Sequence, residues 1–397
     1  MATFNIKSEI VGDNYLTMIK NAFFLPSVND KFFIMGNSSC DMDSVLSAYL
    51  LSIFENIRNK VIIPDEKKEH YFLNPAANRV YYPVVNCKRG TLLHRLDQKY
   101  VFNKFHVNAD EFFYIDDPQL SVETVTNSKN LMIILVDHSE LPLDQKFMVP
   151  YVVELYDHHL VEHIEFPRCN KRFIKFPIGS CTTLILANFF LREFPFSILD
   201  PLLAVTGILL DTYNFNKNLY KKRWSDLDIQ LFSRIISKRK EPVDVGEYYN
   251  IISEEKRNVE NNLALGIDNL LAKDQKTFVW NENKVQWSSL PLSYHKVRDK
   301  FGLKDIIEHI HKNCDGKFEY YVINSVIENH NKEFNIFLVD KKDFGDINQV
   351  KEALIKSCGS FYIGWDYDEE NQVINLELTG ASSRKGAEPC FRVVLNK

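Results

Sequence analysis

The chain has no CxxC pair, no apolar run long enough to span a bilayer, no internal repeat and no low-complexity tract. Its seven cysteines (Cys40, Cys87, Cys169, Cys181, Cys314, Cys358 and Cys390) are scattered. An odd count without a framework argues for reduced thiols in an intracellular protein and against a structural zinc site. The longest apolar stretches, such as Ile198 to Leu210, are too short or too interrupted to cross a membrane. The first residues show no basic segment followed by a long apolar one, so no secretory leader is expected and a cytoplasmic location is. Aromatic and basic residues are not interleaved as single-stranded nucleic-acid grooves require, so neither nucleic acid nor membrane is an expected partner. The formal net charge of −5 leaves a phosphate-rich ligand open, provided positive charge is concentrated locally. Oligomeric state is left open.

What is present is ordinary globular composition, 45% hydrophobic and 25% charged, in 397 residues. That length predicts two domains. Lys31 to Met35, Leu131 to Val136 and Tyr151 to Tyr156 read as strands buried on both faces of a parallel sheet. Asp43 to Ile57, Thr182 to Glu193, Asp200 to Leu210 and Asp226 to Ser237 read as helices, the last capped by Ser225. The alternation predicts an α/β, doubly wound N-terminal domain over 1–250. The polar, helix-periodic stretch Glu254 to Ala272 reads as a solvent-bridging helix, giving a helical linker over 251–275. Strand patterns then alternate with helices at Leu303 to Lys312 and Ile347 to Ser357, which predicts a smaller α+β domain on a mixed sheet over 276–397.

Four segments carry carboxylates or histidines at or just after apolar runs: GNSSCDMDS (Gly36 to Ser44), LVDHSE (Leu135 to Glu140), LYDHHLV (Leu155 to Val161) and GILLDT (Gly207 to Thr212). Hard divalent cations take oxygen ligands, with some imidazole, from several segments at once. The carboxyl ends of parallel strands are where an α/β sheet delivers such groups. Any one segment is compatible with a solvated acidic turn or a polar strand terminus. Four together, all read as strand-terminal, point to one metal site and to hydrolysis of a phosphate compound. Lys88, Arg89 and Arg95 either line a channel for a long anion or are a solvated loop and helix.

These motifs resemble those of the DHH phosphoesterase superfamily, named for the triplet present here as Asp157-His158-His159. Ser383-Arg384-Lys385 with Pro389, and Asp274 to Phe278 with Lys276, resemble the second-domain type, DHHA2, of family II inorganic pyrophosphatases, exopolyphosphatases and prune proteins. The GGGH motif of the RecJ and nanoRNase branch is absent. Pyrophosphatases place a metal-binding histidine where this chain has Asn37, and Gly36-Asn37 and Gly179-Ser180-Cys181 resemble the exopolyphosphatase and prune forms. Prune-like chains usually replace the second histidine, whereas His159 is intact. Val136 to Glu140 is closer to the pyrophosphatase form.

The resemblance implies a metal-dependent exopolyphosphatase acting on inorganic polyphosphate. The alternatives are an inorganic pyrophosphatase, a prune-like nucleotide phosphodiesterase or short-chain polyphosphatase, and a weakly catalytic interaction protein. It implies two divalent ions, Mg²⁺ first and Mn²⁺ or Co²⁺ next, activating one water between them. Asp137 would bridge the ions. Asp41 would hold the first, with Asn37 beside it, and Asp43, His158 and Asp211 would complete the second. Asp157 would support the histidines. His159, Lys276, Arg384 and Lys385 would meet the substrate's charge, in a cleft between the domains.

Overall fold

The structure is a computed structural model that describes residues 13–65, 70–160, 165–190, 199–280, 283–314, 316–327, 331–341, 343–379 and 384–395. The chain divides into two units, Met1–Glu255 and Lys256–Lys397.

In the first unit the strands are β1 (Asp30–Met35), β2 (Ile62–Asp65), β3 (His70–Leu73), β4 (Arg79–Val85), β5 (Phe113–Tyr114), β6 (Leu131–Val136), β7 (Val152–Asp157) and β8 (Lys171–Ile174). The helices are α1 (Asp13–Ala22), α2 (Met42–Arg58), α3 (Leu96–Lys104), α4 (Val122–Asn127), α5 (Cys181–Phe190), α6 (Pro201–Asp211), α7 (Asp226–Ile236) and α8 (Val245–Arg257), which crosses the boundary. Six strands form one sheet in the order β5-β4-β1-β6-β7-β8. Every pairing in it is parallel. The apolar runs are continuous because these strands are covered on both faces. The chain winds outward from β1 to β4 and β5, then returns to place β6 on the other side of β1. That reversal opens a crevice at the carboxyl ends of β1 and β6, the place where open α/β sheets receive ligands.

Helix α2 is buried from Met42 to Asn56, so it is a core helix rather than an amphipathic surface one. It packs on β4, α5 and α6. Its polar residues Asp43, Ser44, Ser47 and Ser52 are buried with it, and each finds a partner. Ser225 and Asp228 form a capping box at the start of α7.

The second unit contains α9 (Val259–Ala264), α10 (Gly266–Ala272), β9 (Gln275–Trp280), β10 (Asn283–Ser289), α11 (Tyr294–Phe301), α12 (Leu303–Cys314), β11 (Tyr320–Val326), β12 (Lys332–Leu338), α13 (Ile347–Cys358), β13 (Tyr362–Asp368), β14 (Val373–Leu378) and α14 (Arg384–Leu395). Its sheet runs β13-β14-β12-β11-β10-β9. Only the β10–β11 pairing is parallel. Alternation along β11 sends Tyr320 and Val322 into one core, with Phe391 of α14, and Tyr321 and Ile323 into another, with Val297 and Ile310.

The stretch expected to be one solvent-bridging helix is the end of α8 followed by two short helices, α9 and α10. Asn258 caps α9 by accepting from the Asn261 amide, and Gly266 at φ +77 separates α9 from α10. Leu270 and Leu271 are buried in the second unit's core beside Leu290 and Val297. Buried Lys273 donates to Asn262. The polar residues obscured these inward-facing leucines. Among the described residues no helix is long and apolar enough to cross a membrane.

Candidate metal centre

The turn from β1 to α2 is tight because its glycine has no room for a side chain. A Cβ on Gly36 would sit 2.9 Å from Ser44 Cβ and 3.0 Å from the Ser44 carbonyl oxygen. Asp41 is the N-cap of α2 and accepts from the Ser44 amide at 3.1 Å. Side chains from neighbouring segments hold the turn's carbonyls. Asn86 Nδ2 donates to Gly36 O at 3.0 Å, Gln98 Nε2 to Cys40 O at 2.5 Å, and Arg95 to Ser39 O. Arg95 thus supports the turn. Arg89 is tied to Asp117 at 2.8 Å and to the carbonyls of Asp110 and Phe112. Both guanidinium groups serve local structure.

Asp137 follows β6 directly, in a left-handed backbone conformation (φ +64) that is uncommon for a non-glycine residue. Its amide donates to Tyr156 O at 2.8 Å, which fixes that turn against β7. Asp137 Oδ2 accepts from Asn37 Nδ2 at 2.7 Å and from Ser44 Oγ at 2.6 Å. Oδ1 lies 3.1 Å from His158 Nε2. Position 37 therefore touches the central carboxylate through an amide.

Asp43, in the first turn of α2, faces the start of α5. Its Oδ1 accepts from Ser180 Oγ (2.5 Å), Thr182 Oγ1 (2.7 Å) and Thr182 N (2.9 Å), and its Oδ2 from Cys181 N (2.7 Å). A carboxylate on free helix N-terminal amides is favourable. Oδ2 also lies 3.6 Å from His158 Nε2. Gly207 of α6 permits this approach, since a Cβ there would meet Thr182 Oγ1 at 2.6 Å and Asp43 Oδ1 at 3.3 Å.

Asp157 ends β7, and the two histidines follow it. His158 Nδ1 is 2.9 Å from Ile178 O, so the proton on that nitrogen is directed to a carbonyl and Nε2 faces Asp137 and Asp43. His159 is held by Asp157, whose Oδ1 meets its amide (3.1 Å) and its Nδ1 (2.7 Å). Asp157 Oδ2 is buried and has no hydrogen-bond partner among the described residues. Asp211 closes α6, the helix expected over Asp200 to Leu210, so this carboxylate comes from a helix C-terminus and not from a strand end as the four motifs taken together suggested.

Among the described residues two groups gather their ligand atoms within 4.8 Å: Asp137, His158 and His159, and Asp43, His158 and Asp211. The charges strain against one another. Burial, then the charges of Asp41 and Asp43, push Asp137 up to about 6. Burial and the same two carboxylates push Asp211 well above the usual range. Burial disfavours charge on His158, yet its contact with Asp137 and the charges of Asp43 and Asp211 outweigh this and raise it to about 10. Burial likewise opposes charge on Asp157, but the His159 hydrogen bonds hold it down at about 2. Such a cluster favours added positive charge. An oxygen-rich donor set with one or two imidazoles suits a hard or borderline divalent cation.

Lys276 is half-buried on β9, opposite Trp287, in the second unit. Arg384 begins α14; Ser383 and the side chains of Arg384 and Lys385 lie outside the described residues. Sequence reasoning missed Ser44, Ser180 and Thr182, which clasp the carboxylates, and Gly207, which admits them. Clustered small and hydroxyl residues beside the acidic motifs were the available signal.

No family model matches the chain. It is 26% identical to Exopolyphosphatase PRUNE1 of Bos taurus over 278 residues, covering 68% of this chain and 54% of that protein. It is 23% identical to a putative exopolyphosphatase of Schizosaccharomyces pombe over 297 residues, covering 71% and 69%. The chain thus spans about half the length of the mammalian relatives it matches. The crystal structure of a putative family II inorganic pyrophosphatase from Methanococcus jannaschii superimposes with a TM-score of 0.59 at 20% identity, covering 92% of this chain and all of that one. These relatives and this superposition agree with the resemblance to DHH phosphoesterases carried by the motifs. The chain has the two-unit α/β fold of that family II pyrophosphatase structure, with its carboxylate and imidazole clusters in the first unit.

Proposed function

We propose that this chain is a phosphoesterase of the DHH type, a divalent-metal-dependent exopolyphosphatase that releases orthophosphate from the ends of inorganic polyphosphate in the cytoplasm. The observation that carries the reading is the convergence of Asp43, Asp137, His158 and Asp211 at one crevice, with an amide, Asn37, on Asp137. The names of the relatives in Bos taurus and Schizosaccharomyces pombe support it.

Asp41, Asp43, Asp137, His158 and Asp211 would hold two divalent ions, Mg²⁺ first and Mn²⁺ or Co²⁺ next. Bound ions would supply Lewis-acid activation of water and of phosphoryl oxygen. Asn37 and Ser44 fix the rotamer of Asp137 through its Oδ2. Asp157 fixes His159 through Nδ1, which leaves Nε2 to meet a phosphoryl oxygen. The motif resemblance implies that Lys276, Arg384 and Lys385 would neutralise the departing chain, Arg384 in a planar, bidentate manner.

Pyrophosphate hydrolysis is the second reading, favoured by the Val136 to Glu140 segment. Phosphate release from pyrophosphate, tripolyphosphate and long polyphosphate, measured side by side with Mg²⁺, tests the choice. Faster turnover of tripolyphosphate and longer chains, with orthophosphate from the first turnover, supports the exopolyphosphatase. Preferential hydrolysis of pyrophosphate overturns it.

A further inference from the structure

Directly after Asp211 the chain enters a basic loop whose purpose the cluster alone does not explain. Tyr213, Asn214 and Phe215 are three consecutive non-glycine residues at positive φ, +53, +52 and +55. Such a run is costly in backbone energy and persists only where the surroundings enforce it. They are enforced here. Trp224 is buried, donates from Nε1 to Asn216 O at 2.9 Å, and packs edge-on against Phe215. The Lys221 amide donates to Trp224 O at 2.7 Å. Four residues on, Asp228 accepts from Gly179 N at 3.0 Å and Thr183 Oγ1 at 2.6 Å, tying the end of the loop to the segment that clasps Asp43. The loop is therefore a shaped structure fastened to the cluster.

What it delivers is Arg223. The residue is exposed, yet its Nε donates to Asp211 O at 2.9 Å and its guanidinium carbon stands 4.9 Å from the Tyr213 ring centroid. Among the described residues its two outer nitrogens have no hydrogen bond, and no carboxylate forms an ion pair with it. Its charge is felt by Asp211. A planar fork held at its base by a backbone carbonyl, with two free donors beside a carboxylate cluster, is shaped for a phosphate's oxygens. Lys217, Lys221 and Lys222 on the same loop are also exposed, in a chain of net charge −5.

We propose that Arg223 is a phosphate-binding residue of the first unit, gripping a phosphoryl group of a linear phosphate chain beside the carboxylate–imidazole cluster. This rests on the phosphoanhydride hydrolase reading. A guanidinium that merely caps α6 would serve helix stability and Asp211 placement; one that also binds substrate adds a salt-sensitive contact.

The test compares the wild type with Arg223→Ala, Arg223→Lys and, as a distant charge control, Lys238→Ala. Steady-state kinetics are run with tripolyphosphate at saturating Mn²⁺ across a salt series. Mn²⁺ affinity is titrated separately without substrate. The proposal expects Arg223→Ala to raise KM about tenfold with kcat changed less than about threefold, as loss of uniform binding does. It also expects a shallower dependence of KM on salt, partial recovery in Arg223→Lys, wild-type behaviour in Lys238→Ala and, in every variant, Mn²⁺ affinity no weaker than that of the wild type. An unchanged KM in Arg223→Ala, or a KM rise explained by weakened Mn²⁺ binding, overturns the role of Arg223 while leaving the hydrolase reading intact. Failure of the wild type to hydrolyse any phosphate chain overturns both.

Discussion

Removing Asp43 and removing Asp211 should have opposite effects on the stability of the metal-free protein, although both carboxylates belong to one cluster. Asp43 is buried and accepts from the amides of Cys181 and Thr182 and the hydroxyls of Ser180 and Thr182. In Asp43→Ala the hydroxyls can turn elsewhere, and Thr182 N retains Ser180 Oγ at 3.1 Å. The Cys181 amide is stranded, and the start of α5 loses its anion. Stranded buried donors cost roughly 1–3 kcal/mol each, so the substitution should cost about 2–5 kcal/mol. For a unit of this size that is a fall of roughly 5–15 °C in its unfolding temperature. The Asp211 carboxylate accepts no hydrogen bond among the described residues and is held against Asp43 and Asp41. Asp211→Ala should therefore be neutral or stabilising in chelator. Added Mn²⁺ should stabilise the wild type strongly and Asp211→Ala much less, because only the intact site binds in the folded state. Thermal and urea unfolding with EDTA, then with Mn²⁺, reads both effects. An Asp43→Ala protein as stable as Asp211→Ala in EDTA would refute the clasp between α2 and α5.

Asn37→His should replace an amide on Asp137 with a softer imidazole, moving metal preference towards Mn²⁺ or Co²⁺; identical Mg²⁺, Mn²⁺ and Co²⁺ titrations would place position 37 outside the site. Gly207→Ala would drive a methyl to 2.6 Å from Thr182 Oγ1, so Mn²⁺ affinity should fall at least fivefold, and a titration matching the wild type would show that α6 can yield. Metal uptake should be proton-linked: His158, held near 10, is protonated at neutral pH and must lose that proton to ligate. Below pH 10 the proton competes with the ion, so apparent Mn²⁺ affinity should rise by up to about tenfold per pH unit from pH 7 to 9. An affinity independent of pH over that range would count against His158 as a ligand.

The first unit was legible where burial is two-sided. Lys31 to Met35 and Leu131 to Val136 have no polar face, so run length alone marks them as parallel strands. β4, with Tyr81, Tyr82 and Pro83 inside it, broke the aliphatic pattern and went unread, although it is the neighbour of β1. The acidic motifs announced a shared site because each ends an element at the sheet's carboxyl edge or reaches it. What they could not announce is how each carboxylate is held. Ser180 is 137 positions from Asp43 in sequence, and their contact depends on α2 lying against α5. Asp211 ends the helix expected over Asp200 to Leu210, so the strand-terminal reading made of all four motifs together did not hold for it. Glu254 to Ala272 read as one solvent-bridging helix because its buried leucines are diluted by charged neighbours.

We propose that Asp137, caught between Asn37, Ser44 and His158, is the shared carboxylate of a two-ion centre. Electron paramagnetic resonance counting of bound Mn²⁺ on the wild type and on Asp137→Asn tests it most directly. The account predicts two Mn²⁺ per wild-type chain with a spin-coupled signal, and in the variant loss of the coupling and of at least one ion. Equal stoichiometry and affinity in the two proteins, or no specific Mn²⁺ on the wild type, would contradict it.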